Sequence, residues 1–443
     1  MYRTKQKVML LLLIFALLCP LLAGCVEDYI YLVPSVEQAV VGEPIVFQVH
    51  SVSSRADGVE FTISDPSYFR DVETSGTTMC ATPIKAGKVT VTATEIRSRG
   101  EAKRCDYELT IHPQAVTVSV ADPQISILGR TEATADGKGL LLANTAAGIE
   151  FAFFGAEVSI QMNLVSGTYA SFALFLDGET DPTANVIELS AGVNTYTLAT
   201  FEQPGRHTIR MQKITEDALG QVAVDSLEIK RGGLLPLEKD RYHSPIKIEV
   251  YGTSITTGYG NMSQPGETVG PHHQNGLMTY AAIAARMLNA DMRVFAQSEI
   301  SFAWESVGVH PLATLCTRVS PTSTAEYDME QFVPDAIVIY VEPENLVYTD
   351  APFDDSNALT YYAYDELLFV LSEKYGDPRP IFLCYGMGDG PSEAIITEIA
   401  SGDTDHLYLV RLPASEHEYP CAQEHQKAAE ILAKAIEDVL KQR

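Results

Sequence analysis

Residues 248–261 read "IEVYGTSITTGYGN". A short apolar run leads into a turn in which Gly252, Gly258 and Gly260 surround Ser254. That is the pattern of a strand buried on both faces, with a serine presented at its carboxyl end. Four more runs share this character: "RVFAQS" (293–298), "AIVIYV" (336–341), "PIFLCYG" (380–386) and "LYLVRL" (407–412). Between them the apolar period changes. Tyr280, Ile283, Ala284, Met287 and Leu288 fall at helical spacing. So do Ala428, Ile431, Leu432, Ala435, Ile436, Val439 and Leu440. Strands alternating with helices predict a doubly wound α/β domain over 244–443, with a parallel sheet of about five strands. Ligands of such sheets bind beyond the strands' carboxyl ends, which is where Ser254 falls.

Upstream the chain is β-rich throughout. Residues 115–232 carry "GIEFAFFGAEVSIQMNL", "YASFALFLDGE", "TYTLATF", "GRHTIRMQKI" and "QVAVDSLEI". These long strands, broken at Gly and Pro, predict a two-sheet jelly roll. Gly232-Gly233 and Pro236 mark a linker after it. Residues 25–113 hold shorter alternating runs, "PIVFQVHSV", "VEFTISD", "GKVTVTATE" and "DYELTIHP", with turns at Asp57-Gly58 and Ala86-Gly87. This spacing predicts an immunoglobulin-like β-sandwich. It holds no catalytic constellation and reads as a spacer or adhesion module.

The amino terminus sets the expected compartment. "MYRTKQK" is basic, "VMLLLLIFALL" is too short to span a bilayer comfortably, and Leu22-Ala23-Gly24-Cys25 follows. Residues 1–24 therefore read as a secretory signal of the bacterial lipoprotein type. Cys25 becomes the lipid-bearing first residue, held at the outer membrane. Glu27 and Asp28 behind it resemble a surface-export signal and lean toward the outer cell surface. The full chain has a net charge of −27. Losing Arg3, Lys5 and Lys7 leaves 28 basic against 58 acidic residues, a net −30. So acidic a body argues against nucleic acid or an anionic membrane face as partner. The cysteine spacing fits no zinc motif. Cys80 and Cys105 share one small β-rich segment, as a disulfide in an oxidising compartment or as two buried thiols.

Taken in order, the jelly roll, the Gly-Gly linker and an α/β domain opening on "IEVYGTSITTGYGN" resemble the second family of carbohydrate esterases. These are acetyl-xylan-type deacetylases with an SGNH (GDSL-like) hydrolase domain. The resemblance covers about 120–440. It includes "GRHTIRMQKITEDALGQVAVDSLEI", "MTYAAIAARMLNADMRVFAQS", "FVPDAIVI" and "HQKAAEILAKAIE". It implies a serine nucleophile, a histidine base and an oxyanion hole, in which one donor is typically worth ~3–4 kcal/mol. It implies no metal and no cofactor. The expected partner is a polysaccharide or acetylated glycan.

A fold carries no activity by itself, and the motif positions depart from the family pattern. Its Gly-Asp-Ser is Gly252-Thr253-Ser254 here, with the nucleophile kept. Its oxyanion glycine becomes Glu299, after Ser298. Its second glycine and its asparagine fall on Glu342 and Glu344, with Asn345 one place late. Counting from His425-Gln426, the catalytic histidine position is Tyr419, followed by Pro420, and the acid position is His417. A phenol of pKa ~10 accepts protons poorly near neutrality, which leaves His417 as candidate base. His425 reads as a helix-cap or packing residue. Trp304 is a sugar-stacking wall or a core side chain. Glu299, Glu342 and Glu344 converging would make an acidic pocket suited to a cation. His272-His273 read as solvent-exposed. The expectation is a glycan-binding site with a degraded catalytic set. The alternatives are an active O-acetyl esterase using Ser254 with His417, and a non-catalytic scaffold.

Overall fold

The computed structural model describes residues 29–442 apart from 55, 239–245, 265, 299, 301–311, 342–355, 377–378 and 389–392. Cys25, Glu299, Trp304, Glu342, Glu344 and Asn345 lie outside the described residues. The chain divides into two compact units, Met1–Gln114 and Ala115–Arg443.

In the first unit two four-stranded sheets share one core. One contains Ile45–His50 and Thr78–Pro83, and the other Gly87–Ile96 and Arg104–His112. Strand alternation decides what is buried. Ile45, Phe47 and Val49 point inward to meet Val91 and Leu109, while Val46 and His50 point out. Cys80 and Cys105 sit on strands of different sheets, and both thiols are free.

The second unit begins with ten strands in one hydrogen-bonded system. Two very long antiparallel strands, Gly148–Gly167 and Gly192–Lys213, form its spine. The first of them pairs with Ser126–Leu128 and Gly233–Leu235 through its first half, and with Gly220–Lys230 through its second. The expected layers are thus joined through continuous strands rather than separate in hydrogen bonding. Pro204 does not end its strand, contrary to the break read from sequence. The ladder jumps from Gly155–Gly205 to Glu157–Thr200, so residues 201–204 bulge and the proline needs no partner. Phe151, Phe153, Ile160, Phe172 and Met211 fill the core.

The α/β region is a five-stranded parallel sheet of β1 (Lys247–Gly252), β2 (Asp291–Ala296), β3 (Ala336–Tyr340), β4 (Ile381–Tyr385) and β5 (Leu407–Arg411), in the order 2-1-3-4-5. Its helices include α1 (Ser254–Thr257), α2 (Tyr280–Met287), α3 (Ser356–Tyr375), α4 (Glu393–Ser401) and α5 (Ala422–Leu440), besides a single turn at Leu312–Leu315. Ile248, Val250, Val294 and Val338 face α2 and α5, while Tyr251, Phe295, Ile337 and Ile339 face α3 and α4. Strand order reverses direction between β1 and β3, so the end of β1 is the topological switch point.

One charge interrupts the apolar run of β1, and it joins the two parts of this unit. Glu249 is fully buried against Arg130, a residue of the β-rich part that is itself fully buried. Arg130 Nη2 donates to Glu249 Oε1 (2.8 Å) and to the Tyr251 hydroxyl (2.8 Å), while Nη1 donates to the carbonyls of Cys316 (2.6 Å) and Arg318 (2.8 Å). The hydroxyls of Tyr251 and Tyr375 donate to Glu249 Oε2. Each partner thus has its charge and most of its hydrogen-bonding capacity met, the condition under which buried charges persist.

Candidate functional site

Gly252 makes the turn after β1 possible. A Cβ there would lie 2.7 Å from the Tyr340 carbonyl and would strike the Thr256 hydroxyl. Thr253 caps the turn, its carbonyl accepting from Thr256 N (3.0 Å) and Thr257 N (3.1 Å). Ser254 then opens α1, half-buried. The turn closes at Gly258, left-handed at φ +76°, and Tyr259 N returns to the Ser254 carbonyl at 3.1 Å. Asn261 pins the next stretch of chain. Its side-chain amide donates to Asn275 O (2.9 Å) and accepts from Asn275 N (3.0 Å), while its carbonyl accepts from Ala422 N at the head of α5. The "GYGN" motif is therefore a structural brace around the serine.

A buried polar chain runs beneath Ser254. Thr257 Oγ1 donates to the Ser254 carbonyl (2.9 Å), accepts from Gln274 Nε2 (2.9 Å) and lies 3.2 Å from Ser298 Oγ. Gln274 Oε1 accepts from Glu216 N (3.0 Å), and the Glu216 carboxylate accepts from Ser298 N. Burial pushes the Glu216 carboxyl up, against the lowering effect of its hydrogen bonds from Ser298 and Gln274. Lys213 is fully buried, and its ammonium donates to the carbonyls of Ala143, Thr215 and Glu216 at 2.8–2.9 Å. Burial pushes it down to about 7, against Asp217 and Glu216. The segment Lys213–Asp217 is how the β-rich part supports the floor of the site. In the sequence this stretch carries only a family resemblance and no role of its own. The signal that could have found it is three charged residues in five at the end of a long strand.

The two candidate bases sit differently. Tyr419 packs directly on Gly260, where a Cβ would lie 2.7 Å from its Cγ, and its ring stands edge-on to Tyr259 with centroids 5.4 Å apart. The tyrosine thus lies against the loop just beyond Ser254. His417 is exposed, and its Nδ1 is 3.1 Å from Glu424 Oε2. Among the described residues no hydrogen bond joins His417, or any other base, to the Ser254 hydroxyl. Burial works against the charged Glu424 carboxyl, but donors from Glu416 N, Cys421 N, Ser415 and His417 outweigh it and hold the carboxyl down to about 2. A cavity of about 560 Å³ opens beside this loop, lined by Asn261, Glu267, His417, Tyr419 and Cys421 among others. His425 is buried and accepts the Tyr280 N–H at 3.0 Å, so it caps α2 from the neighbouring helix. His272 is exposed. His273, in contrast to the expected exposure, is half-buried, its Nδ1 accepting from Gly270 N and its Nε2 3.3 Å from Glu267.

Residues 127–237 match the family described as carbohydrate esterase 2 N-terminal. The chain is 30% identical over 344 residues to the cellulase/esterase CelE of Acetivibrio thermocellus, covering 72% of this chain and 40% of that protein. A family two carbohydrate esterase from Clostridium thermocellum, solved in complex with cellohexaose, superposes with a TM-score of 0.63 at 26% identity, covering 72% of this chain and 99% of that one. Over about 72% of its length the chain is similar to family two carbohydrate esterases. The likeness reaches an acetylxylan esterase / glucomannan deacetylase of Cellvibrio japonicus at 24% identity, over 43% of this chain and 51% of that protein. The chain thus spans about half or less of the length of these two curated relatives. Ser254 stands just after β1, and residues 299 and 342–345 lie outside the described residues.

Proposed function

We propose that this protein is a lipid-anchored glycan-binding relative of the carbohydrate esterases, with weak or no esterase activity. Cys25 carries the lipid, at the outer membrane and facing outward. The immunoglobulin-like sandwich serves as a spacer behind it, and the cleft beyond β1 takes a neutral or acetylated polysaccharide. One observation carries the reading. Tyr419 occupies the family's histidine position and is seated on Gly260, while His417 is turned to Glu424. A serine without a base is a poor nucleophile near neutral pH. That a relative was solved with cellohexaose, and that another is named an acetylxylan esterase / glucomannan deacetylase, supports a glycan as the ligand.

A second reading has its own support. Glu424 holds His417 by Nδ1, which is how an acid orients a histidine whose Nε2 serves as base. A swing of the 415–419 loop toward Ser254 would then make an active O-acetyl esterase. Hydrolysis of p-nitrophenyl acetate and acetylated xylan by the wild type, Ser254→Ala and His417→Ala, with titration of cellohexaose and acetylated xylan, separates the two. Binding without serine-dependent turnover is expected. Turnover lost in both variants establishes the second reading and overturns the first, and absence of both binding and turnover overturns both.

A further inference from the structure

We propose that His417, Cys421 and Glu424 form a site for one divalent transition-metal ion of the zinc class, at the edge of the cavity beside Tyr419. One ligand atom from each residue lies within 4.8 Å of the other two. Position and chemistry both fit. Cys421 is the residue before α5, and its N–H donates to Glu424 Oε2 at 2.9 Å, so the carboxylate folds back over the first helical turn toward the cysteine. His417 Nδ1 meets the same oxygen at 3.1 Å. The ligands are braced. Glu424 Oε1 accepts from Glu416 N (2.7 Å), and Ser415 Oγ accepts from His417 N with its one proton shared between Glu424 Oε2 (3.0 Å) and the His417 carbonyl (2.8 Å). Such outer contacts orient metal ligands and tighten binding.

An imidazole, a thiolate and a carboxylate are a borderline-soft donor set. It suits zinc or cobalt and disfavours magnesium and calcium, which prefer oxygen ligands alone. Three protein ligands leave a fourth position on the cavity side, the arrangement of an open rather than a closed zinc site. The cysteine spacing pointed to no zinc motif because two of the three ligands are not cysteines.

Binding balances simply. Cys421 releases its thiol proton to solvent, and the imidazole adopts the Nε2–H tautomer so that Nδ1 donates its lone pair to the metal. A histidine protonated at Nε2 cannot accept the Ser254 proton. Metal occupancy would therefore hold His417 out of catalysis, a consequence that rests on the second reading above, whereas the site itself does not.

The test is a Co²⁺ titration of the full-length reduced protein, monitored by its thiolate-to-cobalt charge-transfer absorption. Protection of Cys421 from iodoacetamide by Zn²⁺ is read in parallel by peptide mass spectrometry, with Cys80 and Cys105 as internal controls. One equivalent should give the band and slow alkylation of Cys421 alone. Cys421→Ser should abolish the band, and Glu424→Gln, which removes a direct ligand, should weaken binding by more than the about 10–100-fold typical of losing an outer contact, both with folding verified by circular dichroism. A band that persists in Cys421→Ser, its absence in the wild type, or unchanged alkylation of Cys421 overturns the site. None of these readouts depends on glycan binding or turnover, so failure here is distinct from failure of the functional proposal.

Discussion

Removing Arg130 tests the claim that one buried ion pair holds the β-rich and α/β parts of the second unit together. Arg130→Met takes away the guanidinium that bonds Glu249, the Tyr251 hydroxyl and the carbonyls of Cys316 and Arg318. Methionine fills much of the volume, so the cavity contribution is small, and the cost is electrostatic. Breaking a buried pair on one side typically costs ~3–5 kcal/mol, because the surviving charge has no solvent. A buried carbonyl left without a donor adds about 1 kcal/mol or more. We expect a loss of about 5 kcal/mol for Arg130→Met and about 3 kcal/mol for Glu249→Gln, which keeps acceptors for the two tyrosines. The double variant should cost about 5 kcal/mol rather than the sum of about 8, a coupling of ~3 kcal/mol, since removing both charges leaves no buried ion to strand. Urea unfolding monitored by tryptophan fluorescence is the assay. Trp304 is the chain's only tryptophan, and its position in the sequence falls within the range of this unit. Losses that simply add, within about 0.5 kcal/mol, would refute the pairing argument, as would an Arg130→Met protein as stable as wild type.

The site's surroundings give two further outcomes. Burial holds His425 neutral, with its pKa pushed down to about 4 despite the neighbouring Glu424. That folded value is below the unfolded ~6.5, so stability is lost as pH falls from ~6.5 toward 4, by a total of about 3 kcal/mol. His425→Gln keeps an acceptor for Tyr280 N but cannot titrate there, and its melting temperature should fall less steeply over that window. Parallel curves would refute the assignment. Gly252→Ala forces a methyl group against the Tyr340 carbonyl and Thr256; overpacking of this kind costs ~1–3 kcal/mol, and a melting temperature unchanged from wild type would refute it.

The five parallel strands were legible because a strand covered on both faces needs an unbroken apolar run, and each of the five runs overlaps a strand, although β1 starts one residue earlier, at Lys247, and β2 two residues earlier, at Asp291. Helices α2 and α5 were legible because their apolar residues recur at helical period, although Met287 and Ile431 of those series are exposed and α2 buries Tyr280–Ala285 without a break. Helix α3 was not. It buries Tyr364, Leu367 and Leu371 yet exposes Tyr361, Tyr362 and Phe369, so its apolar residues surround the axis and no single period stands out. Pro204 misled because its tolerance depends on a bulge set by the partner strand.

The residues themselves determined the α/β class of the second unit's C-terminal part and the place of Ser254 at the end of β1. Those are matters of local pattern and motif position. Only the tertiary structure decided that Glu249 is neutralised by Arg130 from 119 positions away, that Lys213 and Glu216 lie beneath the serine, and that His417 turns to Glu424 and Cys421. Such pairings are formed by charges that must find partners once burial removes water, and no local pattern names the partner.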